Sequence, residues 1–301
     1  MGISRRGFLG GSVAFVAAVR SGEAFAAPPG PDIVDVSGSD PKAMVAAAVK
    51  ELGGIGVFVR PGDYVVIKPN AAFANPVVWA TTTHPDTVAA VAKLCLDAKA
   101  KQVLVVEFPQ GKGEKCLERC GVAGALAGLA VKTKLFSEAS DFQKVEVPGG
   151  VALKSVDVAK VLRSADVFIN IPTAKHHFQA GVSFGMKNHM GLIYDRQAFH
   201  TLLELQQAVA DLARVIKPQL TVLDGTRALL SNGPAGPGET GSPGRIIAGR
   251  NVVSVDAYGL TLAKFGGRDL TPADVKHIEL AGAAGLGEIR IAKLKVKKLN
   301  A

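Results

Sequence analysis

Short apolar runs closed by proline, asparagine, aspartate or glycine alternate along this chain with longer segments whose apolar positions recur at helical spacing. The runs Asp63–Lys68, Gln102–Glu107, Ala165–Ile171 and Gln219–Asp224 read as buried strands. Pro85–Ala98 reads as a helix, with Pro85 tolerated in its first turn and Thr83 or His84 at the cap. A glycine-broken helical region follows over Glu114–Leu129. Further helices are expected from about Gln197 to Ile216, ended by Pro218, and from about Val253 to Lys264, entered from Ile246–Gly249. This alternation predicts an α/β fold, a mainly parallel sheet with helices on both faces. Val145–Val147 and the approach to Val156 are weaker, and there a small subdomain would be inserted. Asn232–Gly241 is too rich in glycine and proline for a helix or a central strand. It reads as a mobile cover, since long loops of this kind are often functional.

The ends of the strands carry the chemistry. They read Lys68-Pro69-Asn70, Glu107-Phe108-Pro109, Asn170-Ile171-Pro172 and Asp224-Gly225. Turn formation alone explains such residues at any single end. Four of them beside one histidine-rich segment predict a shared cleft, because ligands of open α/β sheets bind outside the carboxyl ends of the strands. That segment, Pro172–His200, holds four of the six histidines (His176, His177, His189, His200) with Lys175, Lys187, Asn188 and Arg196.

Lys187 and Lys175 suit an anionic substrate, a phosphate or an imine, since a lysine in apolar surroundings loses its proton more readily. Adjacent in an extended segment, His176 and His177 point to opposite sides, so one faces the cleft. Lys187, His176 and His200 are the candidate catalytic groups. Lys68, Asn70, Lys175, Asn188 and Asp224 are the candidates for holding substrate or cofactor. Arg196, His200 and Glu204 recur every four residues, which aligns them on one side of a helix. The histidine spacing matches no established zinc pattern, and acid–base, ligand and structural roles all stay open. No Gly-x-Gly-x-x-Gly or Walker pattern follows a strand, which disfavours nucleotide binding by those modes.

At the N-terminus, Ser4-Arg5-Arg6-Gly7-Phe8-Leu9 precedes an apolar stretch to Val19, and Ala24-Phe25-Ala26 supplies a cleavage site. Residues 1–26 therefore read as a twin-arginine export signal, with residues 27–301 forming the α/β domain and the periplasm, or another exported location, as destination. The formal charge of +9 includes the signal's Arg5, Arg6 and Arg20 against Glu23, which leaves +7. Nucleic acid is disfavoured by an aromatic content of 6%. Lys293, Lys295 and Lys297 alternate with apolar residues, as on an edge strand guarded against pairing. Outside the signal no apolar run reaches the ~18 residues a membrane span needs. Three cysteines, Cys95, Cys116 and Cys120, are too few for the four thiolates of a typical iron–sulfur cluster and odd in number for a disulfide framework.

Taken in order, Lys68-Pro69-Asn70, the strand and proline before Lys175-His176, Gly185-Met186-Lys187-Asn188, His200, Asp224-Gly225, Gly233-Pro234 and Val255-Asp256-Ala257 resemble the domain-of-unknown-function family 362. The resemblance spans about Val65 to Leu262. Many members of that family carry a ferredoxin-like module with cysteine motifs; this chain has none, so no built-in iron–sulfur cluster is expected. A more distant similarity is to the nickel-dependent lactate racemases, which use lysine and histidine around a tethered nickel cofactor on a small hydroxy acid. No specific motif carries those residues across.

The expectation is an exported protein with an enzyme-like cleft for a small anionic, carboxylate-type molecule, with a divalent metal or organic cofactor loaded before export as an open addition. The alternative is a non-catalytic periplasmic ligand-binding protein or an accessory of a redox complex. Expected partners are the twin-arginine translocase and the small anion, with no nucleic acid and no integral membrane segment. Replacing Arg5 and Arg6 by lysine should leave unprocessed protein in the cytoplasm, as read by fractionation and blotting. Normal processing of that variant would remove the export reading.

Overall fold

The computed structural model describes residues 30–301. The expected export signal, residues 1–26, lies outside the described residues. The chain opens with β1 (Ile33–Ser37), α1 (Pro41–Glu51), β2 (Tyr64–Pro69), α2 (Pro85–Asp97) and β3 (Gln102–Glu107). Next come α3 (Gly113–Arg119), α4 (Val122–Leu126), β4 (Val131–Leu135), β5 (Phe142–Glu146), β6 (Ser155–Ala159) and α5 (Val161–Ser164). The middle third runs through β7 (Val167–Ile171), β8 (Thr173–His177), β9 (Gly181–Ser183), α6 (Gly185–Asn188), α7 (Arg196–Thr201) and α8 (Leu205–Val215). It finishes with β10 (Leu220–Leu229), β11 (Thr240–Gly241), β12 (Arg245–Gly249), α9 (Val252–Gly259), α10 (Lys276–Ala283) and β13 (Val296–Asn300).

The main sheet follows the order β13-β1-β12-β10-β7-β2-β3-β4. Only β12 runs antiparallel to its neighbours along that path, so the sheet is mainly parallel as expected. Period-two side chains divide the core. Val65 and Ile67 of β2, Val103 and Val105 of β3, and Val167 and Ile169 of β7 pack with α1 and α2. Val66, Leu104, Val106 and Phe168, one residue out of phase, pack with α8, α9 and α10 on the other face. Strands buried on both faces need that near-continuous apolar content.

Local chemistry sets the helix starts. Pro41 and Pro85 occupy the first turns of α1 and α2, behind the Asp40 carboxylate and the His84 ring as caps. The segment expected as one helix from Gln197 to Ile216 is two. Asp195 caps α7, and the Glu204 carboxylate accepts from the N–H groups of Gln206 and Gln207 to start α8 afresh. Arg196 and His200 therefore share a helix, while Glu204 is spent on a cap. The strand expected to stop at Asp224 runs on to Leu229, and its register against β8 slips between Asp224 and Ala228. After Pro172 the chain returns to the sheet as β8 beside β10, which carries Lys175, His176 and His177.

β5 and β6 form a separate antiparallel pair, the small inserted unit expected near Val145–Val156. Of the lysines expected on a guarded edge strand, Lys297 lies in β13 at the sheet edge beside Lys298, whereas Lys293 and Lys295 precede the strand. Cys95, Cys116 and Cys120 are free and buried, and burial pushes the Cys95 thiol up to about 12. Among the described residues no helix is long and apolar enough to cross a membrane.

The inserted unit is tied to α8 by one carboxylate. Asp211 is fully buried and accepts from the backbone N–H groups of Val151, Ala152 and Leu153 at 2.8, 2.8 and 3.0 Å. Asp211→Ala orphans those donors and should cost about 3 kcal/mol in urea denaturation. A loss below about 0.5 kcal/mol would show that the tie is incidental.

Candidate functional site

On the face covered by α8 and α9, the inward positions turn polar at the carboxyl ends of two adjacent strands. Lys68 succeeds Val66 on β2, Asn170 succeeds Phe168 on β7, and the two are register partners. Lys68 Nζ sits 2.8 and 2.9 Å from the two oxygens of Glu107, at the end of β3, and donates to Pro69 O at 2.6 Å. Glu107 also accepts from the N–H groups of Ala71 and Phe108, at 2.7 and 2.8 Å. Both side chains are 1% exposed. Such a pair persists only because these extra hydrogen bonds offset its desolvation. Burial lowers the Lys68 pKa, and Glu107 opposes that.

The Lys187-Asn188 turn lies over this pair, held from behind. Asp256, buried on α9, accepts from Gly185 N and Met186 N at 2.7 and 2.8 Å, which pins the start of α6. Burial pushes its carboxyl up to about 7 against those two hydrogen bonds. Asn188 then joins the strand ends: Nδ2 donates to Asn170 Oδ1 at 2.8 Å, and Oδ1 accepts from Asn70 Nδ2 at 3.1 Å. Gly191 is required where the chain crosses the ion pair. A Cβ there would stand 2.5 Å from Lys68 Cε and 2.7 Å from Glu107 Oε1.

The resulting cleft has a volume of about 100 Å³ and is lined by Lys68, Asn70, Phe73, Glu107, Lys175, His177, Lys187, Asn188, Arg196 and His200, among others. Lys175 Nζ donates to Thr81 O at 2.6 Å and Asn70 Oδ1 at 3.1 Å, with Phe73's ring 4.8 Å away. Among the described residues Lys187 Nζ has one hydrogen-bond partner, the Met190 thioether at 2.9 Å. Burial pushes both lysines down to about 7, opposed at Lys175 by Glu107 and reinforced at Lys187 by Arg196. The Arg196 guanidinium donates to Phe108 O and Pro109 O and stacks 3.9 Å over the Phe108 ring. Four cationic side chains thus share one carboxylate, and Lys68 already holds it. The cleft is short of negative charge.

Its two imidazoles offer opposite faces of hydrogen-bond chemistry. His177 Nδ1 accepts from Gln179 N and Ala180 N at 3.2 and 3.3 Å, so the neutral ring carries its proton on Nε2. Burial holds His177 neutral, down to about 2. His200 Nδ1 lies 2.7 Å from Gln179 Oε1, an acceptor, so Nδ1 carries the proton and Nε2 the lone pair. The rings are parallel within 1°, with centroids 6.0 Å apart. His189 lies beneath, fully buried and pushed down to about 3, with Nε2 3.4 Å from Asn170 Nδ2.

Of the residues selected from sequence, Lys68, Asn70, Lys175, Lys187, Asn188 and His200 line this cleft; His176 and Asp224 do not. The alternation of β8 sends His177 to the cleft and His176 away from it. His176 Nδ1 accepts from Gly233 N at 3.1 Å and so anchors the Asn232–Gly241 loop, whose Pro234 reaches the cleft. Asp224 accepts from His84 N at the entry to α2 and from Thr226 N and Oγ1. Glu107, His177, Asn170 and Asp256 were not selected, although Glu107 and Asn170 stand at strand ends. Among the described residues no three His, Cys, Asp or Glu side chains gather to hold a metal. With His176 turned away, these residues do not fit a protein-held divalent ion.

Fold and site together define an α/β protein with a lysine-lined cleft at the carboxyl ends of its parallel strands. The chain belongs to the family described as domain of unknown function 362, which matches residues 65–261 and so includes every residue named above as lining the cleft. It is 30% identical over 227 residues to a thylakoid-associated protein of Synechocystis, a match that covers 71% of this chain and 67% of the relative. Among solved structures, the lactate racemase apoprotein from Thermoanaerobacterium thermosaccharolyticum aligns at 12% identity with a TM-score of 0.44, over 63% of this chain and half of the racemase.

The unmatched charge should appear in stability. A lysine held near 7 when folded and at its ordinary 10.5 when unfolded binds fewer protons in the folded state between those pH values, so stability rises with pH across that window. Below 7 the folded protein bears the full cost of the buried ammonium. Lys187→Met should therefore be more stable than the parent at pH 6, by about 1–3 kcal/mol, with the gap closing towards pH 10. Urea denaturation across pH checks this; a variant less stable at pH 6 would contradict it.

Proposed function

We propose that the cleft takes up a small carboxylate and handles its protons, with Lys187 and Lys175 as the groups that meet the negative charge. The observation that carries the reading is Lys187: a buried ammonium whose one hydrogen-bond partner among the described residues is a thioether, beside Lys175 and Arg196. An incoming carboxylate supplies the missing acceptor, and a charge-assisted hydrogen bond there is worth about 1.5–3 kcal/mol. A hydroxyl next to that carboxylate finds its complement in the imidazole pair. It accepts from His177 Nε2–H and donates to His200 Nε2, which takes the proton if the hydroxyl ionises. A 2-hydroxy acid satisfies both halves.

Because the bound anion favours the charged lysines, binding draws protons from solvent above pH 7. The twin-arginine segment supports export, so the ligand is one met outside the cytoplasm after passage through the translocase. The thylakoid association in the relative's name fits a protein that works near a membrane without spanning it.

The test is calorimetric titration with lactate at pH 6 and pH 9, repeated in two buffers of different ionisation enthalpy. Affinity should fall at least about tenfold from pH 6 to pH 9, with proton uptake on binding at pH 8, and Lys187→Met should lose about tenfold to a hundredfold at pH 6. Binding that ignores pH, Lys187 and buffer would sink the reading. Chemistry at carbon is a separate question: loss of deuterium from C2 of labelled lactate, followed by NMR, requires the C2–H bond to break and not only the hydroxyl to ionise, and a label that stays on a bound ligand marks the non-catalytic alternative.

A further inference from the structure

The cleft is not closed on its outer side. Gln110, Arg196 and His200 line both it and an adjoining groove of about 660 Å³. The cleft itself, at about 100 Å³, has room for an anionic group and little more. What the groove offers differs in kind. Its walls include Phe108 and Tyr194, whose rings lie within 9° of parallel with centroids 6.4 Å apart, and Tyr194 is 42% exposed. Phe142 backs Tyr194 at 5.4 Å and fixes its position. Arg196 stands at the junction with its guanidinium stacked on Phe108. A half-exposed tyrosine beside a guanidinium plane is a surface that other planar π-systems cover well.

Charge narrows the occupant further. Asp157 and Asp195 line the groove but not the cleft. They outnumber the one guanidinium in the groove, Arg196, which already donates to Phe108 O and Pro109 O and stacks on Phe108, and this disfavours dicarboxylates and phosphorylated tails. We infer that the ligand is an aromatic acid: one carboxylate seated among the lysines, and an uncharged ring lying in the groove against Tyr194. The inference rests on the anion reading of the cleft and adds to it the body that carries the anion.

Full-length protein is titrated by calorimetry at pH 6 with two matched pairs of probes, acetate against phenylacetate and lactate against 3-phenyllactate. The aryl member of each pair should bind about tenfold tighter or better, the gain expected of one aromatic contact with its buried area. In Tyr194→Ala, checked by thermal melt, that advantage should vanish while acetate and lactate keep their affinities. If aryl and short acids bind alike to the parent protein, or the aryl advantage survives loss of Tyr194, the ring site is wrong and the anion cleft stands. If no acid of either kind binds, the anion reading fails and this inference falls with it.

Discussion

The Lys68–Glu107 pair is the fixed point of this molecule. It replaces apolar core at the ends of β2 and β3, and everything above it is shaped to its presence. Gly191 has no Cβ because the pair lies directly beneath it, and Asn188 reaches down to the Lys68 ammonium and carbonyl. Breaking a buried pair by removing one partner typically costs 3–5 kcal/mol, because the survivor is stranded. More than stability follows from it. By engaging Glu107, Lys68 leaves Lys175, Lys187 and Arg196 without a carboxylate of their own among the described residues. The cleft's shortage of negative charge is thus set by the core beneath it.

Positioning is achieved from the far side. Asp256 on α9 holds the first two N–H groups of α6, so the Lys187-Asn188 turn is fixed by a helix that never meets the cleft. His177 and His200 are fixed likewise, through Gln179, whose backbone N–H and side-chain oxygen assign the two imidazoles their tautomers. Groups held by supporting hydrogen bonds keep their geometry without the ligand, which lowers the cost of binding it. The unmatched lysines work in the opposite direction, as stability given up at the site, which the proposed anion would restore on binding.

Much of this was legible in the sequence. Strand cores with apolar runs and polar ends announced the sheet and the edge at which the cleft lies, and the Lys-Pro-Asn and Gly-Met-Lys-Asn pieces stand where they meet. The failures have local causes. Periodicity ran straight through Leu202 and Leu203, yet capping by Asp195 and Glu204 divided the helix, because caps act on a few residues that a long pattern averages over. Asp224 looked like a strand end because Gly225 follows it, whereas Gly225 marks close approach to Leu262 and the Arg245 carbonyl inside a longer strand. The choice between His176 and His177 turned on the phase of β8, which only its pairing with β9 and β10 fixes. Lys187 stands out in the sequence as a candidate site lysine, but its burial does not; that comes from α6 folding inward under Asp256, a contact 70 residues distant in sequence.

The central claim is that buried, uncompensated ammonium groups await an anion, and the Lys187 side chain reports on it most directly. NMR titration of protein carrying ¹³C at the lysine Cε, with Lys187→Met to assign its signal, reads that group alone. Lys187 should titrate near 7 in the free protein and move upward when a saturating carboxylate is added. A Lys187 that titrates at the ordinary lysine value, and does not respond to the anion, would contradict the account.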